Sequence, residues 1–191
     1  MPQRERLMVF VDGTNFLIQL AKEFNFQYRA EKPPWAAISL AASFLQELTN
    51  LQNLNIIRRY WFASYKGSEE FLYEYKSQLR RRNFDPKLFR KRDGREKGVD
   101  IALTKEMLVN AFQQNCDLVI LIAGDEDYVE LVEEVKRYGQ KIWGAFFQNG
   151  LSKNLQLSLD AFFSIGSIGF GTSFQSLCDA IRAETGTAKS A

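Results

Sequence analysis

The stretch Leu118-Val-Ile-Leu-Ile-Ala-Gly-Asp-Glu-Asp-Tyr128 decides the fold class of this chain of 191 residues. Its first part, Leu118 to Ala123, is entirely apolar and has the length of a strand that is buried on both faces. Asp125-Glu-Asp127 follows directly after Gly124. A buried strand that ends in a polar loop is typical of the central strand of an α/β sheet.

Strand patterns recur on both sides of this stretch and alternate with helical patterns. The sequence predicts strands over residues 7–11, 56–63, 87–89, 118–123, 141–145 and 161–165. Helical spacing of apolar residues predicts helices over 16–24, 35–48, 69–82, 99–112, 130–138 and 151–159. This alternation predicts an α/β fold, a three-layer α/β/α sandwich around a mainly parallel, doubly wound, Rossmannoid sheet.

The length of the chain is that of one domain. We expect residues 1–166 to form this domain, and residues 167–191 to form a glycine-rich linker, a short amphipathic C-terminal helix and a flexible tail. The helix is predicted because its apolar residues recur at helical spacing, and it is expected to dock on the domain or on a second subunit: Phe174, Leu177, Cys178 and Ile181. A homodimer is therefore one expected arrangement.

Histidine is absent from the sequence, and its absence excludes several classes of enzyme. Without an imidazole there is no Ser-His-Asp triad and no ordinary catalytic zinc site. Cys116 and Cys178 have the spacing of neither a metal site nor a disulfide scaffold, which predicts a reducing, cytoplasmic location. No apolar run reaches the roughly 18 residues that a membrane-spanning helix needs.

The net charge is only +2, but the charge is unevenly distributed along the chain. Residues 76–97 contain ten lysines and arginines against three acidic residues, a balance that favours contact with a polyanion. For any single arginine, a solvated helix end or loop remains the alternative. We expect the nucleic-acid-binding residues in the second half of this segment: Arg90, Lys91, Arg92, Arg95 and Lys97.

Polar residues follow three predicted elements at positions that a parallel sheet would bring to one edge. Asp12-Gly-Thr-Asn15 follows the first strand, Asp125-Glu-Asp127 follows the strand over 118–123, and Asp100 opens a helix. Ligands of such sheets bind beyond the carboxyl ends of the strands. We therefore expect one acidic, catalytic site that contains all five polar residues: Asp12, Asn15, Asp100, Asp125 and Asp127.

Carboxylates that close would repel one another unless a cation lies between them. Oxygen ligands without His or Cys favour Mg²⁺ or Mn²⁺, as one or two ions, and the expected metal ligands are Asp12, Asp100, Asp125 and Asp127. Such ions activate water and stabilise charge on phosphate oxygens. Each residue also has a structural alternative: a turn for Asp12, a helix start for Asn15, a cap for Asp100, and a capping box with Glu130 for Asp127.

The motifs VFVDGTN, KGVD and IAGDEDY, in this order, resemble the three acidic motifs of NYN domains. These domains belong to the PIN-like nuclease superfamily, and the chain resembles its LabA-like branch from about Leu7 to about Ile165. The resemblance implies metal-dependent cleavage of RNA. It also implies roles for the motif residues: metal binding for Asp12, Asp100 and Asp125, a further ligand or base for Asp127, and orientation of the site or a phosphate for Asn15.

Two further expectations accompany the resemblance. The partner is RNA, expected to be single-stranded, with three aromatic candidates for stacking on its bases: Phe84, Phe89 and Tyr128. Phe84 and Phe89 also fit a core. Ala123 stands where many NYN domains carry a small hydroxyl residue, and Asp160 is an additional acidic candidate near a further polar stretch of the family.

Three functions are left open by the sequence. The first is a Mg²⁺- or Mn²⁺-dependent ribonuclease, and the second is an RNA-binding or regulatory module that uses the same fold without turnover. The third is phosphohydrolase or phosphoacceptor chemistry. A haloacid-dehalogenase-type phosphatase would need an acidic residue at position 14, where this chain has Thr14, and the acidic pattern also fits a receiver domain poorly.

Overall fold

One sheet of six parallel strands organises the residues that the computed structural model describes, which are 5–52, 54–91, 98–166 and 171–187. The strands are β1 (Arg6–Asp12), β2 (Asn55–Tyr65), β3 (Asp85–Arg90), β4 (Leu118–Ile122), β5 (Lys141–Phe146) and β6 (Ala161–Ser164). Their order across the sheet is β3-β2-β1-β4-β5-β6. The predicted α/β class and the parallel sheet are confirmed.

Seven helices lie within the same described residues: α1 (Gly13–Glu23), α2 (Trp35–Gln52), α3 (Glu69–Arg80), α4 (Val99–Phe112), α5 (Val129–Arg137), α6 (Lys153–Ser158) and α7 (Gly171–Thr185). Helices α1, α2, α3 and α7 pack on one face of the sheet, and α4, α5 and α6 pack on the other. The three-layer sandwich is therefore confirmed. None of the described helices has the length and apolar character needed to cross a bilayer.

Strand β1 is buried on both of its faces, which explains its unbroken apolar sequence. Leu7, Val9 and Val11 belong to the core under α1 and α2, whereas Met8 and Phe10 belong to the core under α4 and α5. The strand pairs with β2 on one side and with β4 on the other. Because the chain crosses from the β1–β2–β3 half to the β4–β5–β6 half at this point, the crevice of the sheet opens at the carboxyl end of β1.

Gly13 begins α1 against the indole ring of Trp61. Trp61 is fully buried in the middle of β2, and a Cβ atom on Gly13 would overlap its ring. Only glycine leaves room for this approach. The chain can therefore turn from Asp12, the last residue of β1, directly into α1.

Helix α7 packs along α2 and buries Cys178 and Ile181. The carboxylate of Glu184 accepts a hydrogen bond of 3.2 Å from the backbone N–H of Ala36, in the first turn of α2. The first N–H groups of a helix have no acceptor within that helix, so Glu184 supplies a hydrogen-bond acceptor at the start of α2. The helix docks on its own chain, while the division of the chain at residue 166 stays a prediction, and residues 167–170 lie outside the described part.

The contact of Gly13 with Trp61 can be tested by stability measurements. We expect Gly13→Ala to lower the free energy of unfolding by about 1–3 kcal/mol, the usual cost of an extra methyl group in a packed site. Trp61→Phe removes part of the ring that the methyl group would meet, so the double variant should lose less than the two single losses together. Urea unfolding of the four proteins measures these values, and a Gly13→Ala protein as stable as wild type would contradict the packing.

Candidate active site

Asp12 is a buried carboxylate at the end of β1, only 4% exposed. Its two oxygens have partners on different elements: Oδ1 accepts the backbone N–H of Asn15 at 2.9 Å, and Oδ2 accepts the hydroxyl of Tyr128 at 2.8 Å. The first bond caps α1. Helix capping, and not the turn given as the alternative, therefore accounts for one oxygen of Asp12, while the second oxygen contacts a residue of another element.

Asp100 lies in the first turn of α4, but it is not the cap of that helix. The N-cap is Gly98, which has a left-handed backbone with φ 101° and makes no side-chain cap. Asp100 is exposed, and its Oδ1 accepts a hydrogen bond of 3.0 Å from the hydroxyl of Tyr128. The capping interpretation of Asp100 is therefore wrong, and its carboxylate faces the same hydroxyl as Asp12.

The hydroxyl of Tyr128 links these two carboxylates. Its ring is buried in the core under α4 and α5, and burial together with the charges of Asp12 and Asp100 raises the pKa of Tyr128 far above its usual value. The phenol thus stays protonated, but it carries a single proton and can donate to only one carboxylate at a time. Two carboxylates around one donor concentrate negative charge, which favours a cation beside them.

The burial of Tyr128 also overturns an expectation. A ring that is 2% exposed cannot stack on a nucleic-acid base, so the assignment of Tyr128 to base stacking is wrong. Phe84 is equally buried and meets Trp61 edge-on, with 5.2 Å between the ring centroids. Phe89 is half-buried and packs against the core under α4. Core packing is thus the observed role of all three rings.

Asn15 connects α1 to the loop that follows β4. Its side-chain oxygen accepts the backbone N–H of Gly124 at 2.9 Å. Gly124 has no room for a side chain, because a Cβ atom there would overlap the carbonyl of Gly150 and the ring of Phe146. Asn15 therefore positions the loop from Gly124 to Tyr128, and its amide oxygen is already engaged in doing so.

Asp125 and Asp127 lie on this loop and are both exposed. Asp125 caps a short 3-10 helix, Glu126–Tyr128, by accepting the backbone N–H of Asp127 at 3.3 Å. Helix α5 starts after Tyr128 without a side-chain cap, so the capping box of Asp127 with Glu130 is not formed. Since Val11 pairs with Ile122 in parallel strands, the loop emerges at the same sheet edge as Asp12.

The described residues contain no group of three or more acidic or thiol side chains arranged to hold a metal ion. The structure thus joins Asp12 and Asp100 through Tyr128, and it leaves Asp125 and Asp127 on the exposed loop beside them. The convergence of all four carboxylates on one ion stays a prediction.

Two contributions to this edge were missed by sequence reasoning. Tyr128 donates to Asp12 across 116 positions of the chain, and no local pattern signals such a link. Glu126 accepts hydrogen bonds from Ser152 Oγ at 3.2 Å and from Asn154 Nδ2 at 2.6 Å. These bonds tie the loop after β4 to the start of α6, so Glu126 fixes the loop in addition to Asn15.

Asp160 lies away from the candidate site. Its carboxylate accepts the backbone N–H of Ile142, near the start of β5, and forms an ion pair of 2.8 Å with Lys136. Asp12 is the last residue of β1, whereas Ile142 lies near the start of β5. Because the strands are parallel, these two positions are at opposite ends of the sheet. Asp160 therefore stabilises the other end of the sheet.

Arg90 and Lys91 are the part of the expected nucleic-acid-binding set that the structure describes. Arg90 is the last residue of β3 and Lys91 follows it, on the same edge of the sheet as Asp12. Arg90 is exposed, donates to the carbonyl of Gly67 at 3.0 Å and lies 3.7 Å from Glu69. The other members of the set, Arg92, Arg95 and Lys97, lie outside the described residues.

Comparison with known proteins agrees with the α/β fold. Residues 6–166 match the family model of the NYN domain. A crystal structure of a protein of unknown function from Vibrio parahaemolyticus has a TM-score of 0.66 with this chain and 22% sequence identity, covering 87% of this chain and 96% of that chain. At this identity the likeness concerns the fold alone. No curated protein matches the sequence.

Removal of the shared hydroxyl tests the link between the two carboxylates. We expect Tyr128→Phe to lower the free energy of unfolding at neutral pH, without divalent metal, by about 1–3 kcal/mol, because a buried acceptor loses its donor. Tyr138→Phe is the matched control, since Tyr138 is 37% exposed and should change stability by less than about 0.5 kcal/mol. Equal free energies of unfolding for the two variants would show that the Tyr128 hydroxyl does not stabilise the fold.

Proposed function

Because this chain belongs to the NYN domain family of the PIN-like nuclease superfamily, we propose that it is a divalent-metal-dependent ribonuclease that hydrolyses RNA phosphodiester bonds. The observation that supports this proposal most is the pair of carboxylates, Asp12 and Asp100, that face one hydroxyl at the carboxyl edge of the sheet. This edge is where an open parallel sheet binds its ligands.

The donor atoms of the site fit a hard divalent cation. Asp12 and Asp100 offer carboxylate oxygens, the sequence has no histidine, and the neutral hydroxyl of Tyr128 donates a hydrogen bond without cancelling their charge. Asp125 and Asp127, on the exposed loop beside them, are the further oxygen ligands we propose. When bound, Mg²⁺ or Mn²⁺ supplies Lewis-acid stabilisation of the charge that develops on phosphate oxygens and favours ionisation of water.

The residues of the chain itself divide the remaining work. The hydroxyl of Tyr128 lies within hydrogen-bonding distance of both Asp12 and Asp100 and donates its one proton to either of them. Asn15 holds the loop that carries Asp125 against α1. Arg90 and Lys91 lie at the same edge, and the proposal assigns them the phosphates of an RNA strand beside the acidic pocket.

A second candidate function is RNA binding without cleavage. It is favoured by the lack of a ready-made group of three acidic ligands among the described residues. It is favoured also by Asp125, whose Oδ1 is engaged in capping the 3-10 helix. A protein of this kind would keep the fold and the basic edge, and it would hold RNA without hydrolysing it.

Cleavage assays with matched variants separate the two functions. We expect the wild-type protein to cut fluorescent single-stranded RNA with Mn²⁺ or Mg²⁺ and not with EDTA, and Asp12→Asn or Asp100→Asn to lower the rate at least about 100-fold, because each removes charge from the pair of carboxylates. Asp160→Asn is the control and should cut as wild type, since Asp160 lies at the opposite edge. If the wild-type protein binds RNA but cleaves no member of a broad RNA panel, the nuclease proposal is wrong and the RNA-binding function is supported.

Metal binding can be measured independently of any substrate. We expect calorimetric titration with Mn²⁺ to show binding to the wild-type protein, and Asp100→Ala to weaken it at least about tenfold, as expected for loss of one carboxylate ligand. Asp160→Ala should leave the titration unchanged, because its carboxylate is paired with Lys136 elsewhere. Identical titrations for wild type and Asp100→Ala would exclude Asp100 as a ligand.

A further inference from the structure

The side of the sheet formed by the outermost strand β3 has a notch, because β2 begins before β3 and extends beyond it. Strand β3 pairs with residues 60–65 of β2, so residues 55–59 of β2 have no described strand on that side. A cavity of about 350 Å³ opens there. We call it the arginine notch, and it is lined by Ile57, Arg58, Arg59, Arg80, Asn83, Phe84, Asp85 and Pro86.

The notch contains three arginines and one carboxylate. Arg58 lies 3.5 Å from Asp85 and over the ring of Tyr60, on the face of the sheet that α4 covers. Arg59 points to the opposite face, as the alternation of a strand requires, and is half-buried. Neither Arg59 nor Arg80 forms an ion pair with any described residue. The notch thus has a surplus of positive charge.

Charged residues on an edge strand often serve only to prevent pairing with another chain, and the burial of Arg59 argues against that simple role here. Exposed charges are sufficient to discourage pairing of an edge strand with another chain. Arg59 is half-buried instead, and the loss of solvent around its guanidinium lowers its pKa. Partial burial of a cation without an acidic partner costs free energy, and an anionic ligand would recover it.

A second depression continues the notch along α3. It has a volume of about 410 Å³, shares Arg80 with the notch, and is lined in addition by Tyr73, Ser77 and Arg81. Tyr73 is 77% exposed, and exposed aromatic rings beside cations are the usual platform for single-stranded nucleic acids. Arg82 is turned inward, since it donates to Ser39 Oγ at 2.7 Å. Arg80 and Arg81 are therefore the outward members of the arginine triplet.

The notch lies within reach of the carboxylate site along the sheet. Arg59 pairs with Val9 and Phe62 pairs with Asp12, so the notch is three residues, or about 10 Å, below the level of Asp12. Arg90 pairs with Tyr65, three residues beyond the level of Asp12 in the carboxyl direction, so the notch and Arg90 lie on opposite sides of that level. An RNA strand bound at the carboxylates could run along the β2–β3 side of the sheet to the notch.

We propose that the arginine notch and the adjoining face of α3 form a second RNA-binding surface, which binds backbone phosphates at Arg59, Arg80 and Arg81 and stacks a base on Tyr73. The choice of RNA as ligand rests on the proposed function. Binding at this surface does not require cleavage. It would extend the contact with RNA from the acidic pocket to the side of the sheet formed by β2, β3 and α3.

RNA binding in EDTA tests this surface without cleavage. With a fluorescent oligouridylate of about 20 nucleotides, we expect Arg80→Gln with Arg81→Gln to weaken binding about tenfold and to reduce the slope of log affinity against log salt by about 1.4, the value for two lost phosphate contacts on single strands. Tyr73→Ala should weaken binding about tenfold with little change of the salt slope. Arg137→Gln, an exposed arginine paired with Glu134 on α5, is the control and should bind as wild type.

Arg59→Gln adds a test inside the notch and is expected to weaken binding by a similar factor. Because Arg59 is half-buried, circular dichroism and urea unfolding must show that this variant is folded. Arg80, Arg81 and Tyr73 are exposed, so their variants decide the question if Arg59→Gln does not fold. Wild-type affinity and salt slope in these exposed variants would overturn the proposal. A wild-type protein that binds RNA through this surface but never cleaves it would overturn only the nuclease function.

Discussion

The shared hydroxyl of Tyr128 is the contact on which the candidate site depends. Asp12 is almost completely buried, and a buried carboxylate is tolerated only where its oxygens accept hydrogen bonds. Asn15 supplies one donor from α1 and Tyr128 supplies the other from the loop after β4, while the same hydroxyl reaches Asp100 on α4. Three elements that are distant in sequence are thereby held around one pair of carboxylates.

This arrangement follows from the order of the strands. Because β1 lies between β2 and β4, the turn after β1 and the loop after β4 emerge side by side. Two glycines make the close approach possible, since Gly13 lies against Trp61 and Gly124 lies against Phe146. Asn15 then joins the two segments through the amide of Gly124. The site is thus supported by packed backbone, and its exposed carboxylates are Asp100 in the first turn of α4 and Asp125 and Asp127 on the loop after β4.

Charge is distributed over the sheet edge in a way that suits a polyanion. The carboxylates concentrate negative charge at the end of β1, while arginines line the flank formed by β2, β3 and α3. An RNA strand would be attracted to the flank and repelled by the pocket unless cations neutralise the carboxylates. In the proposed function the divalent metal and the basic flank would cooperate, and RNA affinity without metal would come mainly from the arginines.

The sequence by itself determined the α/β class and the parallel sheet, and it predicts an acidic site. Apolar periodicity is local, so the order of strands and helices could be read along the chain, and the absence of histidine excludes imidazole ligands for any metal. Only the tertiary structure decided that Tyr128 joins Asp12 to Asp100, that Asp100 is not a cap, and that Asp160 lies at the far edge. It also grouped Arg59 with Arg80. These relations depend on strand order and side-chain direction, which bring together residues that no local pattern connects.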